Sequence, residues 1–180
     1  MKNVGVFCAS SNRMEQVYYD AAQRLGRWIG ESGRTLVYGG CSSGLMEATA
    51  KAVHENGGRV LGVVPEILKE RGRVSSYIDE IRMTKDLDER KRGLIEAADV
   101  ILALPGSVGT LDEIFTVLSA NTIGLHDKKV VLWNINGFWD DLLALFHGLE
   151  KRNVVNKPFE EFVFVADTWD ELVNILENWK

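Results

Sequence analysis

The chain has 180 residues, 46% of them hydrophobic and 26% charged, and carries a formal net charge of −5. That length fits one domain, residues 1–180, with a sizeable core. The acidic balance argues against nucleic acid or an anionic membrane as a partner, and no apolar run approaches the roughly 20 residues needed to span a bilayer.

Cys8 and Cys41 have no metal-ligand spacing, and a lone pair is no disulfide framework. Met1-Lys2-Asn3 lacks the apolar h-region of a signal peptide. The expectation is a cytoplasmic protein with two reduced, buried thiols and no metal.

In chain order, Val4 to Ala9 reads as a strand, followed by a turn at Ser10-Ser11-Asn12. A helix is predicted from Glu15 to Ser32, with Ala21, Ala22, Leu25, Trp28 and Ile29 inward and Gly33 as its stop. Thr35 to Tyr38 is a second strand, ending in Gly39-Gly-Cys-Ser-Ser-Gly44 and a helix from Leu45 to His54. Strands follow at Arg59 to Val64 and Ile78 to Met83, then a helix from Asp86 to Ala98. Val100 to Leu104 is a short apolar run that breaks at Pro105-Gly106; from Thr110 a helical pattern places Leu111, Ile114, Phe115 and Leu118 on one face. Lys129 to Trp133, Phe138 to Glu150, Phe162 to Ala166 and Thr168 to Trp179 complete the alternation. Strands alternating with helices predict an α/β fold: a Rossmann-like, doubly wound, mostly parallel sheet covered on both faces. Ligands of such sheets sit outside the carboxyl ends of the strands, where all three turns fall.

The strand–turn–helix at 100–118 aims backbone N–H groups and a positive helix end at one point, which favours a phosphate. Asp112 and Glu113 share that first turn, so an anion and a carboxylate come close together. This pairing points to chemistry on a phosphorylated molecule. Thr110-Leu-Asp-Glu113 also fits a capping box, which would explain both ends of that motif structurally. The turn at Gly39 to Gly44 is a second phosphate candidate. Neither turn is a Walker loop or G-x-G-x-x-G, so no dinucleotide cofactor is expected. Gly40-Cys-Ser-Ser-Gly44 matches the letters of a nucleophile elbow with Ser42 as nucleophile, and His126 or His147 would then have to complete a serine hydrolase. On the helix from Asp86, Arg90 and Lys91 lie along the apolar stripe of Leu87, Leu94 and Ile95. Two cations there either snorkel or meet an anion, such as a phosphate or Glu113.

Pro105-Gly-Ser-Val-Gly-Thr-Leu-Asp-Glu113 resembles the PGGxGTxxE signature of the LOG ("Lonely guy") family, cytokinin riboside 5'-monophosphate phosphoribohydrolases long labelled lysine decarboxylases. Arg90-Lys91, Val6 to Ser11, Leu36 to Gly40, Gly44-Leu-Met46 and Ile123 to Asp127 extend the resemblance from Val4 to about Gly137. It implies a Rossmann-like homodimer that hydrolyses the N-glycosidic bond of a nucleoside 5'-monophosphate without cofactor or metal. Carried over by position, Arg90 and Glu113 are the catalytic pair. Lys91, Gly106, Ser107, Val108, Gly109, Thr110 and Asp112 hold the ribose phosphate, with Gly39, Gly40, Gly44, Met46, Ser10 and Ser119 as further substrate contacts. Ser107, Cys41 and Glu47 stand where the family has glycine, and Ala120-Asn121 where many members have Trp-Ala. The alternatives are a carrier of the same fold, like the molybdenum-cofactor carriers, and the serine hydrolase.

Overall fold

A computed structural model describes residues 1–179. The short Val/Ile/Leu-rich runs form strands β1 (Asn3–Phe7), β2 (Thr35–Tyr38), β3 (Arg59–Pro65), β4 (Glu80–Thr84), β5 (Val100–Ala103), β6 (Val130–Trp133) and β7 (Val163–Ala166). The amphipathic stretches between them form α1 (Gln16–Glu31), α2 (Gly44–Glu55), α4 (Leu87–Ala97), α5 (Val108–Thr122), α6 (Asp140–Lys151) and α7 (Trp169–Glu177), with a one-turn α3 at Glu66–Glu70. The strands make one seven-stranded sheet in the order β4-β3-β2-β1-β5-β6-β7, and every pairing is parallel.

Side-chain alternation along the strands divides the core in two. Val4, Val6, Leu36 and Tyr38 face one way and pack with α1 and α2 residues such as Leu25, Ile29, Leu45 and Val53. Phe7, Val37, Ile101 and Ala103 face the other way, against Leu94 and Ile95 of α4 and Ile114 and Val117 of α5. β2, β5 and β6 are buried along their whole length, as doubly covered parallel strands are.

The chain winds from β1 outward to β4, then returns to β5 on the opposite side of β1. The carboxyl ends of β1 and β5 therefore flank the crevice where the winding reverses. They stay joined beyond the strands: Leu104 N–H donates to Phe7 O at 2.9 Å and Ala9 N–H to Pro105 O at 3.1 Å.

Several sequence expectations need correction. Leu87, placed in the apolar stripe, is exposed, because α4 presents its first turn to solvent beyond the sheet edge. Phe115 lies on the rim of α5, edge-on to Phe146 with ring centroids 6.0 Å apart. Trp28 is half-buried, with Arg34 over its ring at 4.3 Å. The fourth strand begins two residues later than predicted, since Asp79 is taken up in capping β3 through Val60 N–H. Among the described residues no helix is long and apolar enough to cross a membrane.

Candidate active site

Helix α5 starts at Val108, two residues earlier than its pattern predicts, and Ser107 is its N-cap without a side-chain cap bond. The capping box read at Thr110–Glu113 does not form; such a box opens α7 instead, between Thr168 and Glu171. Gly106 is required here. A Cβ at that position would lie 2.0 Å from Thr110 Oγ1, so the loop folds back onto Thr110 only without a side chain. The first intrahelical bond is Leu111 N–H to Ser107 O at 2.9 Å. Among the described residues, no protein acceptor meets the N–H groups of Val108, Gly109 or Thr110. Ser107, Val108 and Gly109 are all exposed. This is an open helix terminus with several donors converging on one point.

One turn further along, Glu113 turns inward instead of capping the helix. It is buried, and Arg90 Nη1 of α4 donates to its Oε1 at 2.7 Å, with side-chain exposures of 13% and 5% for the two. The two inward cations of α4 thus find carboxylates. Burial pushes the Glu113 carboxyl above its ordinary range, and the Arg90 guanidinium pulls it back only in part. Gly39 seats the other side of that guanidinium: a Cβ there would lie 1.8 Å from Arg90 Nη2. Gly39, one of the expected substrate contacts, thus leaves room for Arg90.

Lys91, the neighbouring cation, is held by two carboxylates. Its Nζ donates to Asp112 Oδ1 at 3.1 Å and lies 3.5 Å from Asp88 Oδ1. The Asp112 hydrogen bond raises the ammonium above its ordinary pKa. Lys91 and Asp112 therefore pair with each other and bridge α4 to α5 beside the open terminus.

The second glycine turn behaves differently. Gly40 and Gly44 take left-handed φ values of 77° and 62°. The first donors of α2 are already engaged: Gly44 N–H by Asn12 Oδ1 at 2.8 Å, Leu45 N–H by Ala9 O at 2.9 Å and Met46 N–H by Ala9 O at 3.4 Å. The expected phosphate role of Gly44 and Met46 is not available in this arrangement, because the β1–α1 loop fills the helix end. Ser43 Oγ likewise donates to Ser10 O at 2.8 Å. Ser119 lies nine residues beyond Thr110, about 13 Å along the same helix. It lines a groove on the outer side of α4 and α5 with Ile95, Ala120 and His126, separate from the terminus.

The elbow reading of Ser42 fails on geometry. Its backbone has an ordinary φ, not the strained turn of a nucleophile elbow, and among the described residues no histidine bonds to it. Cys8 and Cys41 are both free and buried, and burial raises the Cys8 thiol well above its usual pKa. No group of three or more His, Cys, Asp or Glu among the described residues is placed to hold a metal.

A strap after α3 escaped the sequence reading altogether. Arg73 O accepts from Ser42 N–H and Gly40 O from Ser75 N–H, both at 2.9 Å, and Cys41 pairs with Val74 in an antiparallel bridge. The segment has no hydrophobic period to announce it.

A family model described as "Possible lysine decarboxylase" matches residues 46–176. The chain is 38% identical over 180 residues to cytokinin riboside 5'-monophosphate phosphoribohydrolase LOG5 of Arabidopsis thaliana, covering 99% of this chain and 78% of that one. It is 35% identical over 178 residues to the LOG enzyme of Oryza sativa subsp. japonica, covering 99% and 74%. Among solved structures, TM1055 is 28% identical with a TM-score of 0.71, covering 98% of this chain and 99% of its own. The molybdenum cofactor carrier protein of Chlamydomonas reinhardtii, at 22% identity and a TM-score of 0.74, covers 99% and 97% and shares the fold. With the buried Arg90–Glu113 pair set behind an open helix terminus, and with relatives of this likeness over nearly its full length, the chain belongs to the LOG family of phosphoribohydrolases.

Proposed function

We propose that the protein hydrolyses the N-glycosidic bond of a nucleoside 5'-monophosphate, an adenosine or cytokinin riboside monophosphate, to free base and ribose 5-phosphate. The observation that carries this reading is the Glu113 carboxylate, buried and paired with Arg90 one turn behind the open N–H groups of α5. The phosphate rests on the N–H groups of Val108, Gly109 and Thr110, with Gly106 and Ser107 shaping the loop. Glu113 follows three residues on, about 4.5 Å along the axis, which places it beside the ribose.

Breaking the bond from C1' to the base nitrogen leaves positive charge on the sugar, as in glycoside hydrolysis. Ionised Glu113 faces that charge, and its burial strengthens the interaction. It also takes a proton from the attacking water; the water oxygen joins C1', the bonding pair leaves with the base, and the base nitrogen gains a proton. Arg90 favours the charged form of Glu113 and offsets part of the effect of burial. The phosphate exchanges for Asp112 as the partner of Lys91, fixing the ribose against the catalytic pair.

The outer face of α4 and α5 leaves Ile123 and Leu125 exposed along a groove of about 620 Å³. Apolar exposure of that kind marks an interaction surface, and we assign it to a homodimer. Two free thiols fit the reducing cytoplasm.

The test is chromatographic detection of free base after incubation with AMP and with N6-isopentenyl-adenosine 5'-monophosphate, with Glu113→Gln alongside. Release by the wild type and its loss in the variant supports the glycosidase. No release, with nucleotide or pterin bound tightly, supports a carrier. Light scattering on the wild type and Leu125→Asp reads the dimer.

A further inference from the structure

We propose that Arg73 is a substrate-recognition residue that receives the base, and that it makes the enzyme favour an unsubstituted purine over one bearing an apolar N6 chain. This rests on the glycosidase reading above.

The direction of the substrate follows from the sheet. The open terminus of α5 belongs to β5, and the Arg90–Glu113 pair leans on Gly39 at the end of β2, with β1 between them. Two strand spacings of about 4.8 Å separate these positions. A nucleotide with its phosphate on α5 and its ribose at Glu113 thus runs across β1 toward β2. The base comes over the turn at 41–43 and the strap fastened to it.

Arg73 is the cation on that strap. Its Nη2 lies 3.4 Å from Ser43 Oγ and 3.8 Å from Cys41 Sγ. Among the described residues it has no carboxylate within 4.0 Å, unlike Arg90 and Lys91. It also stands beside Ser43, the N-cap of α2, where the helix dipole is positive and a cation is unfavourable. Its backbone, by contrast, is fixed by the Ser42 and Ser75 hydrogen bonds. An exposed guanidinium held against the local field and lacking an ion-pair partner suits an electron-rich planar ligand, which it can stack on or bond through the fork of N–H groups. Ser10 and Ser42, exposed at this edge of the sheet, are polar. An isopentenyl chain laid against Arg73, Ser10 and Ser42 would strip water from the guanidinium and gain no apolar contact from these three side chains.

The experiment measures kcat and KM for AMP and for N6-isopentenyl-adenosine 5'-monophosphate with wild type, Arg73→Ala and Arg73→Lys. Inhibition by ribose 5-phosphate and the thermal midpoint are read in parallel. The expected result is a wild-type preference for AMP. Arg73→Ala raises the KM for AMP about tenfold with kcat within about twofold, the worth of one hydrogen bond from a charged group. Its inhibition by ribose 5-phosphate is unchanged, and the preference for AMP narrows. Arg73→Lys, which keeps the charge but loses the plane, recovers only part and remains informative if the alanine variant is unstable. Unchanged KM values and an unchanged substrate ratio in folded variants overturn the proposal, as does a wild-type preference for the prenylated substrate. A wild type that releases no base from either substrate overturns the glycosidase reading, and this one with it.

Discussion

Two helices, α2 and α5, begin at the same edge of the sheet, each after a buried strand and a glycine-rich turn, yet only one leaves its first N–H groups open. At α5 the donors of Val108, Gly109 and Thr110 are open; at α2 the donors of Gly44, Leu45 and Met46 end on Asn12 and Ala9. The glycines serve opposite ends. Gly106 lets its loop tuck against Thr110 and leaves the terminus clear. Gly44 lets the start of α2 press against the β1–α1 loop, where a Cβ would lie 2.6 to 2.7 Å from backbone atoms of Ala9, Ser10 and Ser11. A glycine turn before a helix therefore marks close backbone approach, and what approaches decides whether it binds anything.

The largest test of this contrast lies at the carboxylate behind the open terminus. Replacing Arg90 with Gln is expected to lower kcat by roughly 10²- to 10⁴-fold, the usual range for a disabled acid–base group. The pH profile carries the sign. Burial raises Glu113, so wild-type activity should fall on the acid side at a pH above the ordinary glutamate range. Arg90 opposes that shift, so its loss moves the acid limb to still higher pH. An acid limb that moves down, or stays fixed, would remove Glu113 from the ionisation that controls the rate.

The second test addresses the donors. Val108 is the first residue of α5 and is 80% exposed. Proline is well tolerated at that position and lacks an N–H. Val108→Pro is expected to raise the KM for nucleotide by roughly 10- to 100-fold, one charge-assisted hydrogen bond, at unchanged thermal stability. An unaltered KM would mean that the terminus does not hold the phosphate.

The matching change at α2 should appear in stability alone. Gly44→Ala forces a side chain into a left-handed φ of 62° and against backbone. A loss of about 1–3 kcal/mol in denaturant unfolding is expected from the strain. Affinity for ribose 5-phosphate should hold in the folded fraction.

Much of this was legible in the residues. The parallel sheet follows from the alternation of short apolar runs with amphipathic stretches, and each of the seven strands overlaps a predicted one, the fourth shifted by two residues. Arg90 and Glu113 are 23 residues apart in the chain; Arg90 is visible as a charge on an apolar stripe, and Glu113 as a carboxylate in the first turn of the helix that follows the glycine loop. What periodicity does not carry is the identity of a backbone partner. Nothing in Gly44-Leu-Met46 signals that Asn12 Oδ1 and Ala9 O will occupy their donors, because that depends on the path of the β1–α1 loop. Phe115 and Leu87 satisfy the helical spacing of buried residues and yet face outward, since spacing defines a face and the neighbouring elements decide whether it is covered. The strap at 73–78 is held by main-chain bonds, which leave no trace in side-chain pattern.

The smallest expected effect separates the two termini most cleanly. Asn12→Ala removes the side-chain acceptor of Gly44 N–H. The loss of a cap of this kind costs about 1 kcal/mol. One freed donor does not make α2 a cradle, because Leu45 and Met46 still donate to Ala9 O. Calorimetry of the variant should therefore show a lower unfolding midpoint, and titration with ribose 5-phosphate should give the wild-type Kd. A tighter Kd would show that α2 competes for the anion once a single blocking group is gone. In that case the closed terminus would be a latent site, kept shut by the Asn12 side chain, and the difference between the two helices would lie in one residue instead of the course of the β1–α1 loop.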